Sequence, residues 1–349
     1  MTDILPIIAD TNFNRIGIVD DYISLIWTTR FYEHGDFQIQ TPITPENIDL
    51  LAIGNYVIRD DNENVGIIEK VDLIYSETNN RVLTVSGRFL TQLLSRRIIA
   101  EQTQVSGAVS SAINTLINDA IISPALAARQ ISNFTLGDYS IAATIEAQYT
   151  GKNLYNVISD LALQYGFGFK ITLNDDNEFV FELYEGTDRS YDQSENPYIV
   201  FSDEYDNLLN SEFQRDDKNI INCVLAAGEG EGTARKTVWV SSPDNPTGIS
   251  RYEFYDDSRN TSSNDGEISE QDYLEQLAEI GRENLTAYTL TFSGEINSIN
   301  IQFGVNVDIG DIVTIENSEL GLSSSVRIIE LIESVDASGR YSIIPTFGT

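Results

Sequence analysis

The 349-residue sequence holds one cysteine, Cys223, and one histidine, His34. A lone cysteine excludes internal disulfides and any cysteine-based metal cluster. A lone histidine removes His-Glu-x-x-His zinc sites and leaves a histidine-dependent triad only through His34. No apolar run approaches the ~18 residues of a membrane-spanning helix. The start, Met1-Thr2-Asp3-Ile4-Leu5-Pro6, lacks both a basic n-region and an apolar h-region, which predicts a product made in a cytoplasm without a Sec-type signal. Basic residues are scarce too: 21 Lys and Arg stand against 54 Asp and Glu, for a net charge of −33. Duplex nucleic acid and anionic membranes are poor partners for such a chain, because both demand clustered Lys and Arg.

What remains is enough to fold. The sequence is 41% hydrophobic and 10% aromatic, and its length exceeds what one core usually serves, which predicts two or more subdomains. From Tyr22 to Tyr32 apolar residues alternate, with Ile23, Leu25, Trp27 and Phe31 on one face; after Glu33-His34-Gly35-Asp36 the alternation resumes at Phe37, Ile39 and Thr41. This predicts a hairpin. Strands follow at Tyr56–Arg59 and Gly66–Tyr75, joined by the polar tip Asp60-Asp61-Asn62-Glu63-Asn64, and Arg81–Val85 returns after Asn79-Asn80. The period then changes. Val105, Val109, Ile113, Leu116, Ile117 and Ala120 recur at helical spacing, and Leu154, Val157, Ile158, Leu161 and Tyr165 form a second stripe that Gly166 ends. Strands Phe167–Leu173 and Phe179–Tyr184 flank the turn Asn174-Asp175-Asp176-Asn177. A third helix is predicted from Ser269, capped with Asp272 and burying Leu274, Leu277, Ala278 and Leu285, while Ser241–Asp265 reads as a long surface loop.

A distant internal echo organises these pieces. Ile53-Gly54-Asn55-Tyr56-Val57-Ile58 is answered by Ile309-Gly310-Asp311-Ile312-Val313-Thr314, and Ile67-Ile68-Glu69 by Ile328-Ile329-Glu330, with a five-residue difference in the intervening loop. The pattern predicts one strand-turn-strand unit used twice. The expected fold is therefore mainly β with α+β insertions: two related small β-barrels flanking an α+β middle.

Few motifs invite chemistry. Gly228-Glu229-Gly230-Glu231-Gly232 resembles a phosphate-cradling loop, but position 233 is Thr and the following Arg235–Val240 reads as a strand, so a hairpin turn is expected. The acidic clusters Asp60-Asp61-Asn62-Glu63 and Asn174-Asp175-Asp176-Asn177-Glu178 have oxygens suited to calcium but lack the Asp-x-Asp-x-Asp-Gly pattern, and read as solvated hairpin tips. Composition leaves a two-carboxylate glycosidase open, since candidate pairs are plentiful among so many acids. Tyr252, Phe254 and Tyr255 beside Asp256 and Asp257 read as either an exposed strand edge or an aromatic sugar platform. His34 reads as structural in its turn, and Cys223 as a small buried residue. No catalytic, cofactor-binding or metal-ligating residue is assigned.

Several motifs together carry a resemblance: Trp27-Thr28-Thr29-Arg30, Gly35-Asp36-Phe37-Gln38-Ile39 with Pro42, Gly87-Arg88-Phe89-Leu90 with Leu93-Leu94, and Arg96-Arg97-Ile98-Ile99. Further along come Leu183-Tyr184-Glu185-Gly186-Thr187-Asp188-Arg189-Ser190, Val200-Phe201-Ser202, Asn207-Leu208, and Gly228–Gly232 with Arg235. In this order they resemble siphophage tail hub proteins, similar to the central baseplate hub of contractile-tailed phages and to the N-terminal hub part of tail-associated lysins. The resemblance implies a first barrel over 1–98, an α+β middle over 99–200, a second barrel from 201–240 and 287–349, and a loop-plus-helix insertion over 241–286. It implies a non-enzymatic homotrimer at the virion tail tip, assembled in the host cytoplasm, in which two barrels per chain let a three-fold tip meet a six-fold tube. Expected partners are distal tail or tail-tube proteins, the tape-measure protein and tip fibre or spike proteins, with no cofactor and no membrane insertion. DNA would pass a channel whose acidic wall does not bind it, although solubility alone also explains the charge. Trp27, Phe31 and Phe37 are either binding positions or barrel core. The chain stops at Thr349, so a wall-cleaving extension is expected to be absent. The alternatives are a cell-wall carbohydrate hydrolase or a glycan-binding module.

Overall fold

The structure, a computed structural model, describes residues 4–74, 81–287, 289–296, 301–318 and 321–348. The chain opens with β1 (Ile7–Ala9), β2 (Arg15–Ile18), β3 (Ser24–Arg30), β4 (Asp36–Pro42), the short helix α1 (Pro45–Leu50), β5 (Tyr56–Arg59), β6 (Asn62–Ile74) and β7 (Val82–Phe89). Alternation explains why these are strands. In β4 every second residue is buried, and Phe37 and Ile39 meet Leu25, Trp27, Leu83 and Val85 in one core. Strand β6 begins at Asn62, opposite Arg59, so the acidic tip is tighter than expected. The expected positions Tyr75, Asn79 and Asn80 lie outside the described residues.

A helical layer follows: α2 (Gln92–Ser95), β8 (Thr103–Ala108), α3 (Val109–Ile117), β9 (Phe134–Leu136), β10 (Thr144–Tyr149), α4 (Leu154–Tyr165), β11 (Gly168–Leu173) and β12 (Phe179–Tyr184). The Asn153 side chain accepts the backbone N–H of Tyr155 at 3.0 Å and so caps α4, and Gly166 ends it with φ of 75°. Val105, expected on a helix, instead lies in β8, because pairing with β10 claims its backbone.

The remaining elements are β13 (Val200–Ser202), β14 (Leu208–Asp216), β15 (Cys223–Ala227), β16 (Thr237–Ser241), β17 (Glu253–Asp257), α5 (Glu270–Glu283), β18 (Thr289–Ile296), β19 (Ile312–Asn317), β20 (Leu322–Val335) and β21 (Tyr341–Gly348). Strands β15 and β16, expected with the second barrel, form a sheet of their own with β17. That strand corrects the long surface loop expected over 241–265: it lies parallel to β15, in register from Cys223↔Glu253 to Ala227↔Asp257. Helix α5 starts at Ser269 as predicted, the hydroxyl accepting the Asp272 N–H. Leu277 is buried as predicted, but Leu274, Ala278 and Leu285 are only partly so, and Tyr273, Gln276, Glu279 and Ile280 are buried beside it because the helix is covered on two sides. Tyr273 and Leu277 pack with Ala226 and partly buried Val238, whereas Gln276, Glu279 and Glu283 face the helical layer. Glu283 accepts the Tyr149 hydroxyl at 2.6 Å and Lys152 at 2.9 Å, so the layers meet there through polar contacts.

The duplication is visible in topology. The first unit orders its strands β3-β4-β7-β6-β5, and the second orders them β14-β18-β21-β20-β19. Each long central strand carries one bulge, between Ile68 and Lys70 in β6 and between Ile328 and Glu330 in β20. The Gly54 N–H reaches the Ile68 carbonyl just as the Gly310 N–H reaches that of Ile328, both at 2.8 Å. Ile68, not Ile67, is thus the counterpart of Ile328, which corrects the second half of the echo by one residue. The correction matters because a one-residue slip in a strand reverses which face each side chain takes. Among the described residues neither unit closes on itself by strand pairing; both join one 13-stranded sheet through β20 and β3.

The glycines of the duplicated turn are conformationally required, with φ of 92° at Gly54 and 90° at Gly310. A Cβ at Gly310 would also lie 2.3 Å from the Phe31 ring. Gly310→Ala should therefore lower unfolding stability by about 2 kcal/mol, strain and overpacking combined, more than Gly232→Ala, whose Cβ meets open space; denaturant midpoints of the two variants check this.

Candidate functional site

The place where the two units meet is the most heavily built part of the molecule. Strand β20 pairs antiparallel with β3 from Glu330↔Arg30 to Val335↔Leu25. Inside this seam the Arg59 guanidinium is buried, its side chain 1% exposed. It donates to both oxygens of Glu333 at 3.0 and 3.1 Å and to both of Asp61 at 2.7 and 3.0 Å, and lies 5.2 Å from the centre of the Trp27 ring. The Tyr341 hydroxyl adds a bond to Glu333 at 2.9 Å. Burial alone would lower the pKa of Arg59, but its bonds to Asp61 and Glu333 hold it above the ordinary arginine value. At the seam's other end Arg30 donates to Glu330 at 2.7 Å and also bonds Asp36.

The seam borders a cavity of about 580 Å³ lined by both units and by the helical layer. Several of its charged groups are engaged with one another. Lys170 contacts both Glu63 oxygens at 2.8 Å, and Arg189 donates to Asp311 at 2.8 Å while the Thr187 N–H donates to the same carboxylate at 2.7 Å. The motif 183–190 thereby acquires a physical reason: Gly186 lies so close to the duplicated turn that a Cβ would sit 1.8 Å from the Gly310 carbonyl oxygen. Asn207 ties the next motif, its side chain donating to the Val200 carbonyl at 2.7 Å and accepting the Ser202 N–H at 2.9 Å.

Trp27, Phe31 and Phe37 are fully buried, at 0, 0 and 1% exposure, and so belong to the core rather than to a binding surface. His34 is half-buried, its ring 4.3 Å from that of Tyr155. Desolvation, then Arg88 and Arg30, lower its pKa to about 4. Cys223 is buried beside the Ser241 hydroxyl, 3.4 Å away. The 228–232 segment is a hairpin turn between β15 and β16. Arg235 donates to the carbonyls of Gly228 and Ala227 and bonds Asp257, an arrangement with nothing to offer a phosphate. Among the described residues no group of three or more His, Cys, Asp or Glu side chains is arranged to hold a metal ion.

Residues 5–349 match the family described as Siphovirus ReqiPepy6 Gp37-like protein. The chain belongs to that family. Its fold is similar to that of a tail protein from Neisseria meningitidis MC58, with TM-score 0.60 at 15% identity over 99% of this chain and 96% of the other. It is similar as well to prophage tail protein gp18 from Listeria monocytogenes EGD-e, with TM-score 0.54 at 15% identity over 100% and 94%. The 43 kDa tail protein of prophage MuSo2 from Shewanella oneidensis gives TM-score 0.55 at 13% identity over 99% and 98%. No curated protein matches the chain in sequence.

Residue reading missed Arg59 and Glu333, although a signal was present. Arg59 stands two places after buried Val57, and Glu333 two after buried Leu331, so both occupy inward positions where a charge requires a partner. Tyr252, just before β17, and Phe254 and Tyr255 within it are 40–50% exposed, but the Tyr255 hydroxyl accepts from Arg235 at 2.6 Å and Asp256 accepts from Asn284 at 2.7 Å.

Two outcomes follow from the seam and from His34. Arg59→Leu, which strands Glu333 in the seam, should cost roughly 3–5 kcal/mol by denaturant unfolding, and Arg59→Leu with Glu333→Leu should recover most of that loss. His34, the sole histidine, should titrate near pH 4 in a proton NMR experiment. Its folded pKa lies below its unfolded value, so its contribution to stability is complete above the unfolded value of about 6.5 and is lost as pH falls toward 4.

Proposed function

We propose that this chain is a structural tail protein of a bacteriophage virion, a non-enzymatic hub at the distal end of the tail tube, in which three copies form a ring around the DNA channel. The observation that carries the reading is the repeated strand order together with the β20·β3 seam. One chain already holds two like units edge to edge, so three chains supply a ring of six similar units, and a six-fold tube can seat on a three-fold tip. The two units are the barrel domains of this reading: residues 1–98, then 201–240 with 287–349. The segment 99–200 is the α+β middle, and 241–286, with the β15–β17 sheet beside it, is an outer insertion.

On this reading the protein binds tube proteins on one side and tip fibre or spike proteins on the other, with the tape-measure protein above the channel. It assembles in the host cytoplasm. The net charge of −33 suits a wall along which DNA slides, since carboxylates release no counterions from phosphate. Against a hydrolase stands the engagement of four of the carboxylates that line the cavity: Asp61, Glu63, Asp311 and Glu333 each hold a cation, so none of these four is placed as a proton donor beside a free base. Light scattering on the purified chain should give three chain masses, and wall-release assays should stay at background; a monomer that clears peptidoglycan would overturn the proposal.

A further inference from the structure

The internal duplication specifies what the two free strand edges should hold. Strand β20 pairs with β3, and their counterparts in the repeated order are β6 and β14. Yet among the described residues β6 pairs no strand beyond Ile67 on the edge it shares with β5, and β14 pairs only with β18. An unpaired strand edge is a template for another chain.

The register can be carried across. Trp27 lies opposite Phe37, which lies opposite Gly87; Phe213 lies opposite Phe292, which lies opposite Phe347. Gly87 faces Ile68, and Phe347 faces the counterpart Ile328. Phe213 therefore stands for Trp27, and Asp216 for Arg30. Past the shared bulge Lys70 stands for Glu330 and Leu73 for Glu333. We infer that copies of this chain join head to tail, β6 of one pairing antiparallel with β14 of the next, in the register Lys70↔Asp216, Val71↔Arg215, Asp72↔Gln214, Leu73↔Phe213, Ile74↔Glu212. The inference rests on the ring reading above and adds to it the two edges and their alignment.

The chemistry at these positions agrees. Lys70 against Asp216 is the Glu330–Arg30 ion pair with its charges exchanged across the seam. A slip of one residue toward the start of β14 would set Lys70 against Arg215, a like-charge pair, and a slip either way would turn Leu73 and Phe213 to opposite faces. Leu73 is 46% exposed, Ile74 54% and Phe213 37%, so the edges carry apolar side chains that pairing would cover. In the inner seam Arg59 clamps Glu333 beside Trp27; in the outer seam the counterparts are Ile315, Leu73 and Phe213. A buried ionic clamp becomes an apolar one on the same framework. Each long strand is then paired on both edges, and seams within chains alternate with seams between chains.

Cross-linking in the full chain tests this. Directly opposed residues in antiparallel strands place Cβ atoms about 4.5–5.5 Å apart, close enough for a disulfide to form with modest adjustment. Co-expressed Lys70→Cys and Asp216→Cys chains, oxidised and run without reductant, should give a two-chain band at least about tenfold stronger than Lys70→Cys with Glu212→Cys, four positions out of register. Buried Cys223 is present in every arm and cancels. Independently, Lys70→Asp should disperse the oligomer, and adding Asp216→Lys should restore it, with thermal midpoints showing that both variants fold. A three-chain oligomer lacking the in-register cross-link overturns this register and leaves the ring reading standing; a chain monomeric at high concentration overturns both.

Discussion

A long β-strand has two edges, and every amide and carbonyl along them needs a partner. Strand β20 meets this demand by dividing one edge between two partners: Leu322–Arg327 pairs with β19 of its own unit, and Glu330–Val335 pairs with β3 of the other, while β21 holds the opposite edge from Arg327 to Val335. The bulge between Ile328 and Glu330 lies where the partner changes. Much else in the chain serves that handover. Gly310 turns tightly against Phe31, Asp311 anchors the returning segment at Thr187 and Arg189, and Arg59 clamps Glu333.

This arrangement makes the protein a piece of sheet interrupted at both ends. The helical layer and the β15–β17 sheet sit to the side of that frame and meet each other through α5, whose Glu279 and Glu283 accept from Tyr165 and Tyr149.

Much of the frame was legible in the residues themselves. Leu25, Trp27, Phe37 and Ile39 alternate cleanly because one face of their strands is buried, and Ser269, Asn153 and Gly166 mark helix ends through local capping. The repeated Gly54 and Gly310 were readable because a left-handed turn admits few other residues. What was not legible depended on distant partners. Whether Ile67 or Ile68 answers Ile328 has no local signal, because the loops leading from Gly54 and from Gly310 differ in length and only the strand pairing decides. Glu253–Asp257 is acidic and exposed, and becomes a strand only because β15 lies beside it. Val105 sits at helical spacing yet pairs in β8. Arg59 and Glu333, some 270 positions apart (274 between their numbers), have no local reason to meet.

The central claim is that one strand seam is used twice, once within the chain and once between chains. A cryo-electron map of the assembled oligomer tests it most directly. The account predicts six similar strand units in a closed ring, with unbroken sheet density running from β6 of each copy into β14 of the next. Units separated by loops at that boundary, or copies meeting through the β15–β17 sheet instead, would contradict it.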